Sequence, residues 1–308
     1  MVMKTVNSPL TIAAIFIAVA FCGMQACKKS SGPSGPQPIG GFVSSDSVEP
    51  GSLVAYWPLD GSPNDTKGGM TGTASNITYT AGVRGQAYQG SANGYITFTP
   101  NSAIQGLQSF SVSLWFWQVA QPSGTPNDPE GMFMVADSNT NPDLIVEEEH
   151  YAPVSGDSVE IHQGTFFPTA SQWNGWTMSM FDTNAIGKWV HFVMTYDGGS
   201  STYVVYQNGQ AMPNGSAYGT NSATVLLQGP ANATPASVPQ GNLNWTSVNA
   251  NKPAVGTIGT WTPNTYGVSP TLGSNGCWMG KLDEIRVFDI AITQQDVAGL
   301  YLNGLAGR

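Results

Sequence analysis

The chain has 308 residues, and only 9% of them are charged, against about a quarter in an average globular protein. Its 19 acidic and 10 basic residues give a formal net charge of −9. This balance argues against nucleic acid as a partner, because neutralising phosphates requires clusters of Lys and Arg. It also argues against binding to an anionic membrane surface. With 37 Gly, 21 Pro and 41% hydrophobic residues, the composition excludes a collagen-like or simply disordered chain and favours an all-β extracellular domain.

The N-terminus has the pattern of a bacterial export signal. Lys4 is followed by an apolar stretch over residues 10–21, which is too short for a spanning helix of ~20 residues. The sequence MQAC at 24–27 then resembles a lipobox, with Ala26 as the small residue before the cleavage point. We therefore predict a lipoprotein signal peptide over residues 1–26 and a lipid on Cys27. The alternative is an ordinary cleaved secretory signal with an incidental cysteine.

Residues 27–51 are rich in Ser, Gly and Pro, and we predict that they form a flexible tether. The tether would hold a domain at 52–308 off a bacterial membrane, on the outer membrane facing the periplasm or on the cell surface. Cys277 is the one cysteine that remains after lipidation and cleavage, so no intrachain disulfide can form. We expect Cys277 to be a buried structural thiol.

The remaining sequence has a strand-like pattern. The segments with strand periodicity lie at 53–59, 94–99, 110–117, 131–136, 144–149, 159–163, 188–196, 202–206 and 278–288. Turn signals such as Asn208-Gly209 separate them. The one segment with helical character is 291–301, with Thr293 as its N-cap. These elements predict an all-β, two-sheet antiparallel β-sandwich of the jelly-roll type with one short C-terminal helix.

Four motifs resemble the laminin-G-like jelly-roll domains of the concanavalin A-like lectin/glucanase superfamily. They are YWPLDG at 56–61, FSVSLW at 110–115, WVHFVMTYD at 189–197 and GKLDEIRVF at 280–288. The resemblance spans nearly all of residues 52–304. It implies a fold that serves many functions, so the ligand has to be argued from the site.

The resemblance also implies a structural calcium ion near the first motif. Asp60, Asn64 and Asp65 lie in one turn, and Asp283 precedes the last strand. Oxygen ligands of this kind suit a hard cation. The alternative is that the acidic residues bond the backbone of their own turns. For Glu284 and Arg286 we predict a structural ion pair.

Aromatic residues beside amides indicate sugar binding, because an indole covers the apolar face of a pyranose while amides bond its hydroxyls. Such residues lie in polar segments outside the family's strands, which we assign to long loops. They are Trp173, Asn174, Trp176, Asn244, Trp245, Trp261 and Tyr266. The alternative is that these rings pack the loops onto the domain.

A catalytic role would require a pair of carboxylates, ~5–5.5 Å apart in a retaining glycosidase. Glu147 and Glu149 would share one face of a strand and are weak candidates, since the glucanase pattern of this superfamily has an aspartate that is missing here. The alternative is an acidic edge strand exposed to solvent. The sequence therefore predicts a membrane-anchored lipoprotein that binds a glycan or polysaccharide without catalysis. A glucanase-type hydrolase and a protein-interaction or adhesion module are the alternatives.

Overall fold

The computed structural model describes residues 35–119, 130–136, 142–148, 159–167, 172–182, 185–212, 226–227, 238–239, 241–243, 245, 254–262 and 276–308. Two antiparallel sheets form a sandwich, as the sequence predicts. Among the described residues, no helix is both long enough and apolar enough to cross a bilayer.

The larger sheet has eight strands. In spatial order they are Gln210–Ala211 (β13), Thr202–Gln207 (β12), Trp189–Asp197 (β11), Phe110–Trp117 (β6), Lys281–Phe288 (β17), Gln86–Gln89 (β4) and Thr78–Ala81 (β3), and Leu53–Trp57 (β1) also pairs with β17. The central strands β11, β6 and β17 are buried along almost their whole length, because both faces of this sheet are covered.

The second sheet has seven strands. In spatial order they are Gln172–Asp182 (β10), Val159–Phe167 (β9), Leu144–Glu148 (β8), Glu130–Ala136 (β7), Val255–Ile258 (β16), Tyr95–Phe98 (β5) and Gly72–Ser75 (β2). A separate pair consists of Leu226–Leu227 (β14) and Val238–Pro239 (β15). The described helices are a 3₁₀ turn at Ser45–Ser47, a short α1 at Ser102–Gln105 and α2 at Gln294–Leu305.

The main core lies between the two large sheets. Trp57 of β1 contacts Phe98 and Phe133 of the opposite sheet, with ring centroids 4.7 and 5.6 Å apart. Burying such rings removes a large apolar area from water, and each fully buried side chain of this kind contributes about 1.5–3 kcal/mol. The packing of Trp57 across the sandwich therefore joins the first motif to the second sheet.

A smaller apolar cluster covers the outer face of the eight-stranded sheet. The helix α2 begins where predicted, with the Thr293 hydroxyl accepting from the Asp296 amide. Its buried residues Val297 and Leu300 pack against Phe288 and against Val48 of the N-terminal segment. Val48 lies in the segment that we predicted to be part of a tether. Amphipathic packing of α2 therefore explains why β6 and β17 are buried on both faces.

The folded unit begins at Gln37, so the prediction of a flexible tether over 27–51 is wrong for its last fifteen residues. The segment 37–48, here called the strap, lies against α2. The Asn303 amide donates to the Ile39 carbonyl (2.9 Å), and the Ser45 hydroxyl donates to the Arg308 carbonyl (2.8 Å). The strap has few apolar residues, so composition alone suggested a tether, but Val48 is fully buried.

The structure also shows two buried residues that can ionise, and it confirms the expectation for Cys277. Cys277 is buried, and burial raises the pKa of its thiol, which makes it a poor nucleophile. His191 is a core residue whose Nε2 lies 2.9 Å from the Ser113 hydroxyl. Burial lowers the pKa of His191 to about 3, so the ring is neutral at physiological pH.

Candidate functional site

The edge strand of the seven-stranded sheet brings together three of the predicted ligand residues. Trp173, Asn174 and Trp176 all lie on β10, which pairs with β9 on one side and forms the end of the sheet order. We had assigned these residues to a loop, and the structure corrects this to a strand. Gly and Asn are poor strand formers, which is why the local sequence did not indicate β10.

The pairing of β10 with β9 is interrupted at these residues. From Asn174 to Met178 the strand β10 advances by four residues, while its partner advances by two, from Thr165 to Gln163. This is a bulge, and bulges occur often at sheet edges and near functional sites. Strict alternation would place positions 173 and 176 on opposite faces of the sheet, and the bulge removes that constraint.

Trp245 does not lie on an open surface, so its prediction as a ligand residue is wrong. Its side chain is only 1% exposed and belongs to the main core. The indole N–H donates to the Phe166 carbonyl (2.9 Å), and the ring lies 6.3 Å from that of Phe110. Trp245 therefore packs its segment onto the sandwich, which is the alternative that the sequence left open.

Trp261 is half-buried and lies just beyond the end of β16. Four strand spacings separate β16 from β10 in the sheet order, so the two strands lie ~19 Å apart. Trp261 therefore does not share a compact site with Trp173 and Trp176. Asn244 and Tyr266, which were predicted to contribute to the same site, lie outside the described residues.

The predicted calcium ligands have other partners. The Asp65 carboxylate accepts from the backbone amides of Tyr56 and Lys67 (both 2.8 Å), Gly68 (3.0 Å) and Met70 (3.3 Å). Asp65 is nearly fully buried, and it organises the turn that follows β1. This is the role that Asp commonly has in turns.

The other three predicted ligands are also bound to backbone amides. Asp60 accepts from Gln86, and Asn64 accepts from Gly72 (2.9 Å). Asp283 accepts from the amide of Val83 (2.7 Å) and from the amide that follows it in the β3–β4 turn (3.2 Å). Asp60 and Asp283 both bond backbone amides between residues 83 and 86, and the described residues contain no group of three or more His, Cys, Asp or Glu placed to hold a metal ion. These bonds match the turn role that the sequence left open, and calcium at the four residues stays a prediction.

Glu147 lies on β8, which is a central strand, so the alternative of an acidic edge strand is wrong. Its side chain is fully buried. Its direct cross-strand partners are Gly131 and His162, and neither carries the second carboxylate that a glycosidase requires. Glu149 lies outside the described residues.

A buried ionic network joins the strap to β17. As predicted, Glu284 and Arg286 form an ion pair, with Oε2 and Nη2 2.7 Å apart. Arg286 also contacts Asp46 (3.0 Å), which receives two bonds from Arg84 (2.8 and 2.6 Å). The hydrogen bonds from Arg84 lower the pKa of Asp46. The Tyr56 hydroxyl completes the network by donating to Glu284 (2.6 Å).

The sequence did not indicate that Asp46 and Arg84 belong to this network. Both are isolated charges in polar segments. They lie 38 residues from each other, and their partners on β17 are about two hundred residues or more away. The one signal in the sequence is the small number of charged side chains, because each of them then has few possible partners for an ion pair. The network fixes the strap to the sheet: Glu284 and Arg286 are almost fully buried, while Arg84 and Asp46 are partly exposed (29% and 47%).

An open depression lies where β1, α1 and the end of β17 meet. Its volume is about 330 Å³, and its walls include Val54, Leu107, Gln108 and Asp289. The walls contain no aromatic ring. The depression is therefore a weaker sugar-site candidate than β10, which carries two tryptophans.

No protein-family model matches the chain, and comparison with curated proteins gives no match. Solved structures do match. The chain is similar to domain 4 of AbnA, a GH43 extracellular arabinanase from Geobacillus stearothermophilus, in complex with arabinotriose. That match has 19% identity and a TM-score of 0.47, and it covers 81% of this chain and 98% of that one.

The chain is also similar to the binding domain of botulinum neurotoxin serotype G, with 11% identity, a TM-score of 0.50, and coverage of 81% of this chain and 50% of the other. The binding domain of serotype D gives 11% identity, a TM-score of 0.49, and coverage of 84% and 52%. The chain thus spans about half the length of these toxin domains. At such low identity the similarity shows a β-sandwich fold alone.

Proposed function

We propose that the chain is an exported, lipid-anchored module that binds a glycan or polysaccharide without hydrolysing it. The observation that carries this proposal is the placement of Trp173, Asn174 and Trp176 within four positions of one edge strand, at a bulge. Aromatic rings and amides at adjacent positions are the groups that bind a sugar's apolar face and its hydroxyls.

The charge distribution supports a neutral ligand. The segment from Gln172 to Phe181 contains no Lys, Arg, Asp or Glu, so it offers no charge to pair with an ionic ligand. β10 is the terminal strand in the described sheet order, and the outer side of a terminal strand is where a long polymer could lie. A linear polysaccharide could therefore lie along β10 without entering a closed pocket.

Binding without hydrolysis is proposed because the Glu147–Glu149 segment lacks the aspartate of the glucanase pattern. A retaining glycosidase needs a second carboxylate at ~5–5.5 Å, and the direct cross-strand neighbours of Glu147 are a glycine and a histidine. The anchor is proposed from the lipobox at residues 24–27 and attaches the chain through Cys27 to the outer membrane, facing the periplasm or the cell surface.

The test is a glycan array probed with the tag-purified domain, in the presence and absence of EDTA. We expect binding to a set of neutral glycans that is unchanged by EDTA. Release of shortened sugars from a bound polysaccharide would favour the hydrolase alternative. Binding to no glycan on the array would contradict the proposal and favour a module that binds another protein.

A further inference from the structure

The exposed apolar residues of the described chain lie at one place. The large hydrophobic side chains that are most exposed are Val43 (46%), Leu302 (38%) and Leu305 (58%). Val43 lies on the strap, while Leu302 and Leu305 are three residues apart on α2 and so share one face of the helix. We call these three residues the apolar patch.

The strap and the helix are in direct contact at this patch. A Cβ atom added to Gly40 of the strap would lie 3.2 Å from Leu302. The Arg308 side chain donates to the Val43 carbonyl (2.6 Å) and to the Gln37 carbonyl (3.0 Å). The two elements that carry the three residues of the apolar patch are therefore joined by direct contacts.

The exposed face of α2 carries no charge. Its exposed residues are Gln294, Gln295, Leu302 and Leu305, and its one charged residue, Asp296, is buried in the capping box with Thr293. A helix on the surface of a soluble domain ordinarily has charged side chains on its outer face. An uncharged outer face with two leucines indicates a surface that becomes buried against another apolar surface.

The short segment between Cys27 and the strap indicates what covers the apolar patch. Only nine residues, 28–36, lie between Cys27 and Gln37, where the folded unit begins. The ten Cα–Cα steps from Cys27 to Gln37 can reach at most ~35 Å. Because the folded unit begins at residue 37 and not at residue 52, the domain lies closer to the lipid proposed on Cys27.

We infer that the apolar patch contacts the bilayer and orients the domain on the membrane. The inference rests on the proposed anchor at Cys27. The strap enters the fold on the outer face of the eight-stranded sheet, so docking here directs the seven-stranded sheet, with β10, away from the membrane. Apolar contact is consistent with the net charge of −9, which gives no electrostatic attraction to anionic lipids.

The test uses the full lipidated chain in phosphatidylcholine vesicles that contain a nitroxide-labelled lipid. A polarity-sensitive fluorophore is attached at Leu305→Cys or, as the matched control, at Thr73→Cys on the exposed part of β2. Labelling is specific because Cys277 is buried and Cys27 would carry the lipid. We expect several-fold stronger quenching at position 305 than at position 73.

Two further measurements separate the ways in which this inference could fail. The Cys27→Ala chain should no longer float with the vesicles; unchanged flotation would contradict the anchor and, with it, the inference. If the anchor holds but quenching is equal at positions 305 and 73, the docking inference alone is wrong. Quenching at position 305 that depends on protein density, rather than on the nitroxide lipid, would assign the patch to a second copy of the chain and overturn the inference.

Discussion

Trp115 of β6 and Tyr301 of α2 stack with their ring centroids 5.6 Å apart and their planes 19° apart. The contact fixes the C-terminal helix to the outer face of the eight-stranded sheet. It explains why Trp115 is buried although it points away from the main core.

The first prediction concerns this stacked pair. Tyr301→Ala should lower the free energy of unfolding by about 2 kcal/mol, because it removes a half-buried ring and the stacking contact of that ring with Trp115. Tyr301→Phe keeps the ring and should change the stability by less than about 0.5 kcal/mol. Urea denaturation measures both variants. Equal stability of Tyr301→Ala and the wild type would show that α2 is not held by this contact.

The second prediction concerns Asp65. Asp65→Ala leaves four backbone amides without their acceptor and should cost about 3 kcal/mol. Asp65→Asn should cost less, because one oxygen, Oδ1, already accepts three of the four bonds. Thermal unfolding with and without EDTA should give the same Tm for the wild type. A fall in Tm on adding EDTA would instead support a bound cation.

The third prediction concerns the pH dependence of stability. Burial, with the charge of Glu284 as a second cause, raises the pKa of Asp283 from 3.8 to about 8. Between these values the folded state retains a proton that the unfolded state releases, so stability is present at low pH and is lost as the pH rises through 8. Asp283→Asn should flatten the stability profile between pH 4 and pH 8. An equally steep profile in this variant would assign the dependence to another group.

The fourth prediction tests whether the strap belongs to the folded unit. A Cβ atom at Gly299 of α2 would overlap the Phe42 ring of the strap. Gly299→Ala should therefore destabilise the protein by about 1–3 kcal/mol despite the better helix propensity of Ala. Gln295→Ala, on the exposed face of the same helix, is the control and should be neutral. A stabilised Gly299→Ala variant would mean that the strap does not pack there.

The main strands and the final helix could be predicted because their patterns are local. Alternating residues in β6 and β11, and the Thr293 cap, indicate their structure without reference to the rest of the chain. The burial of Trp115 depends on a helix almost two hundred residues away along the chain. Burial by an element that is distant in the sequence does not change the residue pattern of the strand itself.

The site was harder to predict than the fold. The ring of Trp245 is surrounded by polar and small residues in sequence, and only the packing of its segment against Phe110 buries it. The strand β10 is interrupted by Asn174 and Gly175, which disfavour strands, and it pairs with β9 along most of its length. Asp65 resembled a metal ligand because the same carboxylate geometry suits either a cation or several backbone amides.

The most direct test of the proposed function is calorimetric titration of the best glycan from the array into matched variants. If β10 forms the site, the double variant Trp173→Ala/Trp176→Ala should bind at least tenfold more weakly, while Trp261→Ala, ~19 Å away across the sheet, should bind like the wild type. Thermal unfolding would confirm that both variants remain folded. Undiminished affinity in the folded double variant would contradict the assignment of the sugar site to β10.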